Sequence, residues 1–248
     1  MSPLILSQMV ANFDTVEDAL AQVERMIAQG AAIIDVGGES TRPGAEFVTE
    51  EEEIARIVPV IQAIKAKYDV LISIDTYKTA TARAALEAGA DILNDVWAGL
   101  YDGQMLALAA EKNVPIILMH NQKEEVYNDV TEDVCTFLSQ RAQAALEAGV
   151  VKDNIWIDPG FGFAKNVQHN IDLLKGLDKV VALGYPVLFG ISRKRVVNYL
   201  LGGNTQAKDR DQGTAALSGY AVSKGCQIVR VHNVDANRDI VKTISGIL

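Results

Sequence analysis

Polar and charged side chains follow short apolar runs at several places along the chain, and their types could support binding and catalysis. Asp75 and Asn94 each come at the end of such a run, and Asp158 does so before a Pro-Gly turn. An ionised carboxylate only accepts hydrogen bonds, whereas an amide both donates and accepts them. These side chains could therefore bind a heterocycle with adjacent donors and acceptors, although ordinary hydrogen bonding at strand ends is an alternative for Asp75 and Asn94.

The segment Asp158–Phe163, which reads Asp-Pro-Gly-Phe-Gly-Phe, is more specific. It places a carboxylate beside aromatic side chains, which suits a flat ring that carries amino and imine nitrogens. His120 also ends an apolar run, but a structural role is the better interpretation there. We interpret Trp97 and Trp156 as packing residues.

Cations gather at two further run ends. Residues 192–195, Ser-Arg-Lys-Arg, contain three consecutive cations, which a solvated charge run explains poorly at a strand end. Arg230 and His232 are two residues apart, so their side chains point to the same side of a strand, where an Arg fork could bind phosphate oxygens. The Gly-rich loop at residues 35–44 adds Arg42, although this segment could be an ordinary βα loop.

Seven near-continuously apolar runs alternate with longer amphipathic segments, which indicates repeated βα units. Such runs are typical of parallel strands that are covered on both faces. We predict strands at Ala32–Val36, Val70–Asp75, Ile92–Val96, Pro115–Met119, Ile155–Asp158, Val187–Ile191 and Ile228–His232, and helices at Thr15–Gln29, Thr49–Lys67, Thr79–Ala88, Asp129–Ala148 and Asp209–Lys224. No change of composition divides the chain, so residues 1–248 are expected to form one α/β domain.

The spread of polar residues favours a closed barrel over an open doubly wound sheet. An open sheet gathers its ligand contacts at one switch point, often after a Gly-x-Gly-x-x-Gly turn, and the loop after the first run lacks that pattern. A barrel collects functional residues from the ends of many strands. We therefore predict a TIM (β/α)8 barrel. Only seven runs are found, and the missing strand should precede the helix at Thr15–Gln29.

Composition argues against several classes of function. The chain has 23 Lys and Arg against 32 Asp and Glu, a formal net charge of −9, which disfavours nucleic acid or an anionic membrane as the main partner. Cys135 and Cys226 have no metal-ligand spacing and suit a reducing compartment. Neither a membrane helix nor a secretory signal is recognisable. We expect a cytoplasmic enzyme.

Together these motifs resemble those of the dihydropteroate synthases, the pterin-binding enzymes of folate biosynthesis. Seven motifs occur in the family's order and at its spacing, and they cover the chain from residue 12 onward. They are DVGGESTRPG (Asp35–Gly44), SIDT (Ser73–Thr76), ILND (Ile92–Asp95), LMH (Leu118–His120), DPGFGF (Asp158–Phe163), SRKR (Ser192–Arg195) and RVH (Arg230–His232).

The resemblance implies a transferase that joins p-aminobenzoate to 6-hydroxymethyl-7,8-dihydropterin diphosphate, giving 7,8-dihydropteroate and diphosphate, with Mg²⁺ as cofactor. It also implies competition by sulfonamides at the p-aminobenzoate site and a homodimer. By the same resemblance, the pterin-binding residues are Asp75, Asn94, Asp158 and Lys194, the diphosphate-binding residues are Arg42, Arg230 and His232, and the p-aminobenzoate-binding residues are Thr41, Pro43, Ser192 and Lys194.

Residues 1–10 depart from the family pattern. The family carries Asn-Val-Thr-Pro-Asp-Ser-Phe-Ser-Asp-Gly-Gly after its first strand, with the Asn linked to the metal site, and Met1–Val10 does not match it. DNA that encodes Met1–Val10 can also encode this motif in a shifted frame, so we hypothesise a frameshifted reading. We then expect the first strand and the first βα loop to be missing or scrambled, with two unpaired strand edges and poor turnover.

Two other functions remain open. A pterin-binding methyltransferase barrel would share Asp75, Asn94 and Asp158 but would not need the Ser-Thr-Arg-Pro-Gly loop or the cations at residues 192–195. An inactive pterin-binding relic of the synthase is the other alternative, because of the altered N-terminus. A generic phosphate-binding barrel is disfavoured by the aromatic segment Asp158–Phe163.

Overall fold

The computed structural model describes residues 3–11, 15–40 and 46–248 as a regular alternation of strands and helices. The strands are β1 (Leu4–Val10), β2 (Ile33–Gly37), β3 (Leu71–Asp75), β4 (Ile92–Asp95), β5 (Ile116–Met119), β6 (Ile155–Asp158), β7 (Leu188–Phe189) and β8 (Ile228–Val231). The helices are α1 (Val16–Gln29), α2 (Glu50–Lys67), α3 (Thr79–Ala88), α4 (Met105–Lys112), α5 (Val130–Glu147), α6 (Val167–Lys175), α7 (Leu177–Val181), α8 (Arg195–Leu200), α9 (Asp211–Ser223) and α10 (Val234–Ser245).

The strands within these residues form one parallel sheet that closes on itself. Their order is β6-β5-β4-β3-β2-β1-β8-β7, and each registered pair is parallel. The two ends of this order meet through a parallel bridge between Ile157 and Val187. Eight parallel strands with helices between them make a (β/α)8 barrel, so the predicted fold is confirmed.

The expectation that the first strand is missing or scrambled is wrong. Strand β1 lies between β2 and β8, where Leu6 is in register with Ile33 on one side and with Arg230 on the other. Residues 4–10 read Leu-Ile-Leu-Ser-Gln-Met-Val, and this largely apolar segment suits a parallel strand that is covered on both faces. The two unpaired edges that we expected are therefore closed in the described part of the chain, and this structural reason for poor turnover falls away. The reading-frame hypothesis concerns the DNA and stays a prediction.

Local sequence sets the ends of the helices that flank the barrel. The hydroxyls of Thr15 and Thr49 accept hydrogen bonds from the first turns of α1 and α2, as N-cap residues do. Helix α3 ends at Gly89, whose φ of 114° lies in the left-handed region that a glycine cap favours. The predicted helices therefore begin and end within two residues of the observed ones.

An apolar cluster, here called the apolar plug, fills the lower part of the barrel interior, and the polar side chains of the site lie directly above it. It consists of Leu6, Ile33, Ile92, Ile117, Leu188 and Ile228, with Trp156 packed against it. Side chains alternate along a strand, so the residue two positions further on also faces the interior, one layer higher. That next layer contains Gln8, Asp35, Asn94, Met119, Asp158, Gly190 and Arg230. Along most strands the barrel interior therefore changes from apolar to polar within two residues.

Candidate active site

A buried polar layer lies at the C-terminal ends of the strands, directly above the apolar plug. Five charged or amide side chains in this region are at most 9% exposed; they are Asp35, Asp75, Asn94, Asp158 and Arg230. Burying charge is unfavourable unless each group finds a partner. The contacts within this layer therefore decide what the site can bind.

Arg230 joins two strands on the opposite side of β1. Its Nε donates to Oδ2 of Asp35 at 2.8 Å, and one terminal nitrogen donates to Oδ2 of Asp75 at 2.5 Å. The amide nitrogen of Asn94 also lies 3.3 Å from both oxygens of Asp35. Two carboxylates thus share one guanidinium, which fixes Asp75 and Asn94 at the floor of the site.

Asp75 keeps one oxygen for a ligand. Its Oδ1 is buried and has no hydrogen-bond partner among the described residues. A buried acceptor without a partner costs about 1–3 kcal/mol. Burial raises the pKa of the Asp75 carboxyl, and the Arg230 guanidinium opposes that rise. The floor therefore presents an unused acceptor that an N–H group of a bound ring would satisfy.

The turn after β6 brings a carboxylate, an ammonium and an aromatic ring together. Asp158 Oδ1 accepts a hydrogen bond from the Gly160 N–H at 2.7 Å, and burial raises the pKa of this carboxyl while Lys194 opposes the rise. Lys194 Nζ donates to the carbonyl oxygen of Phe161 and lies 4.6 Å from the centre of the Phe163 ring. Burial lowers the pKa of Lys194 to about 8, against the effect of Asp158. This geometry suits a flat, hydrogen-bonding ring.

A cavity of about 560 Å³ opens beside this turn, and its walls are cationic. This volume lies in the range of small-molecule sites. The charged or titratable residues that line it are Lys165, Arg193, Lys194, Arg195, Arg210, Arg230 and His232, and no Asp or Glu of the described chain is among them. In a protein of net charge −9, such a concentration of positive charge favours an anionic group.

Ser192 and His232, both predicted site residues, contact each other at the edge of this cavity. Nδ1 of His232 lies 2.9 Å from Oγ of Ser192, and the backbone N–H of His232 donates to the same oxygen at 3.2 Å. Strands β7 and β8 are neighbours, so the two residues that follow them are held side by side. The structure thus brings together seven of the predicted site residues: Asp75, Asn94, Asp158, Ser192, Lys194, Arg230 and His232.

The remaining predicted site residues, Thr41, Arg42 and Pro43, lie outside the described residues. The two flanks of that segment meet at Lys78, a side chain that is 1% exposed. Lys78 Nζ donates to the carboxylate of Glu39, to Glu53 Oε2 at 3.0 Å and to the carbonyl oxygen of Val48 at 2.6 Å. One buried ammonium therefore anchors both flanks of the β2–α2 loop at the mouth of the barrel.

Sequence reasoning assigned no role to Gln8, Asp35, Lys78 or Lys165. Gln8 lies on β1 in register with Asp35 and lines the cationic cavity. Its amide has no hydrogen bond to other described residues, so it is available to a ligand. Counting two residues on from the inward-facing Leu6 would have found it, but that step requires the first strand to be recognised.

A second, wider cavity of about 980 Å³ lies at the mouth and shares Gly162, Phe163 and Arg195 with the first. Tyr77, Trp97 and Tyr101 give it an aromatic wall, and the rings of Tyr77 and Tyr101 are 4.6 Å apart. Trp97, which we interpreted as a packing residue, therefore also lines a cavity. An apolar ring could enter here and reach the inner site past Phe163.

The described residues do not form a metal centre of their own. No group of three or more His, Cys, Asp or Glu within them is placed to hold a metal ion. Asp35, the carboxylate nearest in register to Gln8, is fully buried, and its oxygens are engaged by Arg230 and Asn94. The described residues therefore do not fit a magnesium ion that is held mainly by the protein.

Comparison with known proteins identifies the family. The family model described as pterin binding enzyme matches residues 7–232. A dihydropteroate synthase of Streptococcus pyogenes serotype M6 is 74% identical over 237 residues, which cover 96% of this chain and 89% of that protein.

Solved structures agree with this result. Dihydropteroate synthase from Clostridium difficile, solved in the presence of pteroic acid, superposes with a TM-score of 0.96 at 36% identity and covers 99% of this chain and 97% of its own. The Xanthomonas albilineans enzyme with 4-aminobenzoic acid gives 0.94 at 38% identity, with 99% and 93% covered. The Yersinia pestis enzyme in a sulfonamide complex gives 0.93 at 34% identity, with 99% and 94% covered. The chain belongs to the dihydropteroate synthase family of pterin-binding enzymes.

Proposed function

We propose that this chain condenses p-aminobenzoate with 6-hydroxymethyl-7,8-dihydropterin diphosphate to give 7,8-dihydropteroate and diphosphate. The observation that carries the proposal is the pairing of a buried acceptor floor with a cationic cavity. The unpartnered Asp75 Oδ1 and the Asp158 carboxylate suit a pterin ring, and the cations beside them suit its diphosphate. Relatives with 74% identity are synthases, which favours this activity over the methyltransferase alternative.

The pterin ring lies on the floor, where its N–H groups meet acceptors on three strands. Asp75 Oδ1 accepts from one ring N–H. Asn94 offers its amide oxygen as a further acceptor, since its amide nitrogen already contacts Asp35. Asp158 accepts from the amino group and an adjacent ring N–H on the opposite side, and Phe163 flanks the ring. Hydrogen bonds between ring nitrogens and a buried carboxylate are stronger than neutral ones, so this floor supplies specificity.

The reaction breaks the carbon–oxygen bond at the pterin methylene, and the diphosphate oxygen takes the electron pair. Arg230, His232 and Arg42 bind the diphosphate in this proposal, and Lys194 lies between the ring and the leaving group. Fixed cations stabilise the charge that develops on the diphosphate without reorganising. Asp158, which is buried beside the ring, eases the positive charge that is left on the pterin.

The arylamine enters through the mouth and attacks the methylene carbon. Its nitrogen forms the new carbon–nitrogen bond and then loses a proton to the surrounding solvent or the departing diphosphate. Ser192 and Lys194, with Thr41 and Pro43, form its binding site in this proposal, and the aromatic outer cavity is its route. Holding both reactants in one enclosed space supplies much of the rate. Sulfonamides compete for the same place, in keeping with the Yersinia pestis complex.

Magnesium belongs to this proposal as a partner of the diphosphate. Mg²⁺ is commonly bound through substrate phosphates and one or two protein oxygens rather than in an all-protein cage. This agrees with the lack of a metal centre within the described residues. Product formation should therefore depend on added Mg²⁺, while binding of a pterin without diphosphate should not.

A homodimer in the cytoplasm completes the proposal. Tyr199, Leu200 and Leu201, at the end of α8, are between 45% and 59% exposed, and such adjacent apolar side chains suit a contact with a second copy. Cys135 and Cys226 are buried free thiols, as expected for a reducing compartment. Within the described residues, no helix has the length and apolarity to cross a bilayer. Sedimentation of the purified protein tests the dimer.

The experiment that tests the activity supplies the purified chain with both substrates and Mg²⁺ and measures dihydropteroate by chromatography and mass spectrometry. We expect product only when both substrates are present, and inhibition by a sulfonamide that added p-aminobenzoate relieves. Asp158→Asn is the matched control because it keeps shape but removes the charge beside the ring. Pterin binding without any product would instead identify an inactive relic, and methyl transfer from methyltetrahydrofolate would identify a methyltransferase.

A further inference from the structure

Lys165 is a buried cation at the wall of the cationic cavity, and the proposed reaction assigns it no role of its own. Its side chain lies beneath the turn Asp158–Phe163 and is among the largest fully buried side chains of the molecule. Nζ donates to the carbonyl oxygens of Gly160 at 3.0 Å and Phe163 at 3.1 Å, and to Nδ1 of His120 at 2.9 Å. All three hydrogens of the ammonium are therefore used, and every acceptor is neutral.

The third acceptor can be assigned because an ammonium only donates. Burial, together with the charge of Lys165, lowers the pKa of His120 to about 3, so the ring is neutral. Nδ1 of His120 must then carry the lone pair, and its proton lies on Nε2. A buried ammonium among neutral partners is costly. The ammonium of Lys165 can stay buried only while its three acceptors remain in place, so its hydrogen bonds fix the positions of those acceptors.

Two of those groups, the carbonyl oxygens of Gly160 and Phe163, belong to the turn on which the inner site depends. Gly160 has a φ of +70°, and a Cβ there would lie 2.0 Å from the carbonyl oxygen of His120, so this turn packs directly against the end of β5. The Gly160 N–H donates to Asp158, and the Phe161 carbonyl oxygen accepts from Lys194. The carbonyl oxygens of the turn are thus held by Lys165 on one side and by Lys194 on the other.

We propose that Lys165 is a positioning residue for the pterin site: by binding the Gly160 and Phe163 carbonyl oxygens and His120, it holds the Asp158 carboxylate, the Phe163 ring and the Lys194 anchor in their working geometry. This inference rests on the proposed function. It adds a group that touches neither the ring nor the diphosphate.

The charge of Lys165 acts in the same direction as its hydrogen bonds. Asp158 from β6, His120 from β5, Lys194 from the segment before α8 and the ring of Tyr127 surround it. Lys165 and Lys194 both favour the ionised form of Asp158, against its burial. Burial lowers the pKa of Lys165 to about 7, so this charge is present below neutral pH and is lost first as the pH rises.

The test compares Lys165→Met, Lys165→Gln and Lys175→Met in the full chain. The Met variant removes donors and charge, the Gln variant keeps two donors without charge, and Lys175 is an exposed lysine on α6 that serves as the control. We expect Lys165→Met to lower kcat/KM for the pterin diphosphate about 10-fold or more, since small misplacements of reacting groups are costly. KM for p-aminobenzoate should change less, because its site shares only Lys194 with the pterin site. Lys165→Gln should recover part of the loss, and the control none.

The pH profile separates this role from a merely structural one. In the unmodified chain, kcat/KM for the pterin diphosphate should fall as the pH rises through 7 to 8. In Lys165→Gln, the fall should begin about one pH unit higher, where Lys194 titrates. Identical profiles and identical kcat/KM in the unmodified chain and Lys165→Gln would overturn the inference.

Two controls keep the outcomes distinct. If Lys165→Met does not fold, as circular dichroism would show, Lys165→Gln decides the question alone. If the unmodified chain makes no product, the proposed function fails, and calorimetric titration with the pterin diphosphate becomes the readout. Equal affinity in the unmodified chain and Lys165→Gln then overturns the inference, as does the absence of any pterin binding, whereas an affinity about 10-fold weaker in the variant supports it.

Discussion

Replacing Lys78 by Met tests how the mouth of the barrel is anchored. Lys78 and Glu53 are each 1% exposed, and the ammonium also binds Glu39 and the carbonyl oxygen of Val48. Removing one member of a buried ion pair leaves an uncompensated charge and costs about 3–5 kcal/mol. Two carboxylates lose the same partner here, so we expect Lys78→Met to lower the free energy of unfolding by about 4 kcal/mol.

The assay is urea denaturation followed by circular dichroism, with the slope of the transition checked for each variant. Lys179→Met is the matched control, because Lys179 contacts Glu132 at 2.6 Å while both side chains are more than half exposed. This change should leave stability nearly unaltered. The double variant Lys78→Met/Glu53→Gln should recover about 1–2 kcal/mol, since it removes one of the stranded charges. A Lys78→Met variant as stable as the Lys179→Met control would refute the reasoning.

Three further changes test the site. Gly160→Ala should lower the free energy of unfolding by at least about 2 kcal/mol and weaken pterin binding, because the φ of Gly160 is +70° and a methyl there would lie 2.0 Å from a backbone oxygen. The control Gly184→Ala, where φ is +79° but the space is open, should cost only about 1 kcal/mol. The pKa of Lys194 is lowered to about 8 by burial, so its charge is present below that pH and lost above it; Lys194→Met should remove the fall of kcat/KM above pH 8 along with most of the activity. The Asn233 amide nitrogen donates to Asp211 at 2.8 Å, and its amide oxygen caps α10. Asn233→Asp should keep the cap but place a second carboxylate against Asp211. We therefore expect a lower melting temperature and a loss of about 1–2 kcal/mol in the free energy of unfolding.

The sequence predicted most of the barrel because its signals are local. Apolar runs and cap residues such as Thr49 depend on neighbours along the chain, and these elements lie where they were expected. Strand β1 was missed because residues 1–10 were compared with a family motif, although the alternation of Leu4, Leu6 and Gln8 already described a strand with one polar step. Once that strand is in place, the barrel is complete.

The partners of the buried charges could not be predicted in the same way. Asp75 and Arg230 are 155 residues apart in sequence, and Lys78 and Glu39 are 39 apart, so no local pattern connects them. Residue type alone predicted that Arg230 binds phosphate, and in the structure two carboxylates share its guanidinium. Which cations face a ligand and which face a carboxylate is set by packing across the barrel.

The junction between β6 and β7 is the least connected place in the sheet. Other neighbouring strands pair over two to five residues, whereas this junction is a single bridge, and β7 itself has two residues. Asp158 is the last residue of β6 and Lys194 lies after β7, and the Lys194–Phe161 hydrogen bond crosses between the two segments. Local opening starts where few hydrogen bonds must break, so amide hydrogens at this junction should exchange early. A ring bound by both Asp158 and Lys194 adds a connection across this junction. Ligand binding should therefore stabilise the closed barrel against local opening there.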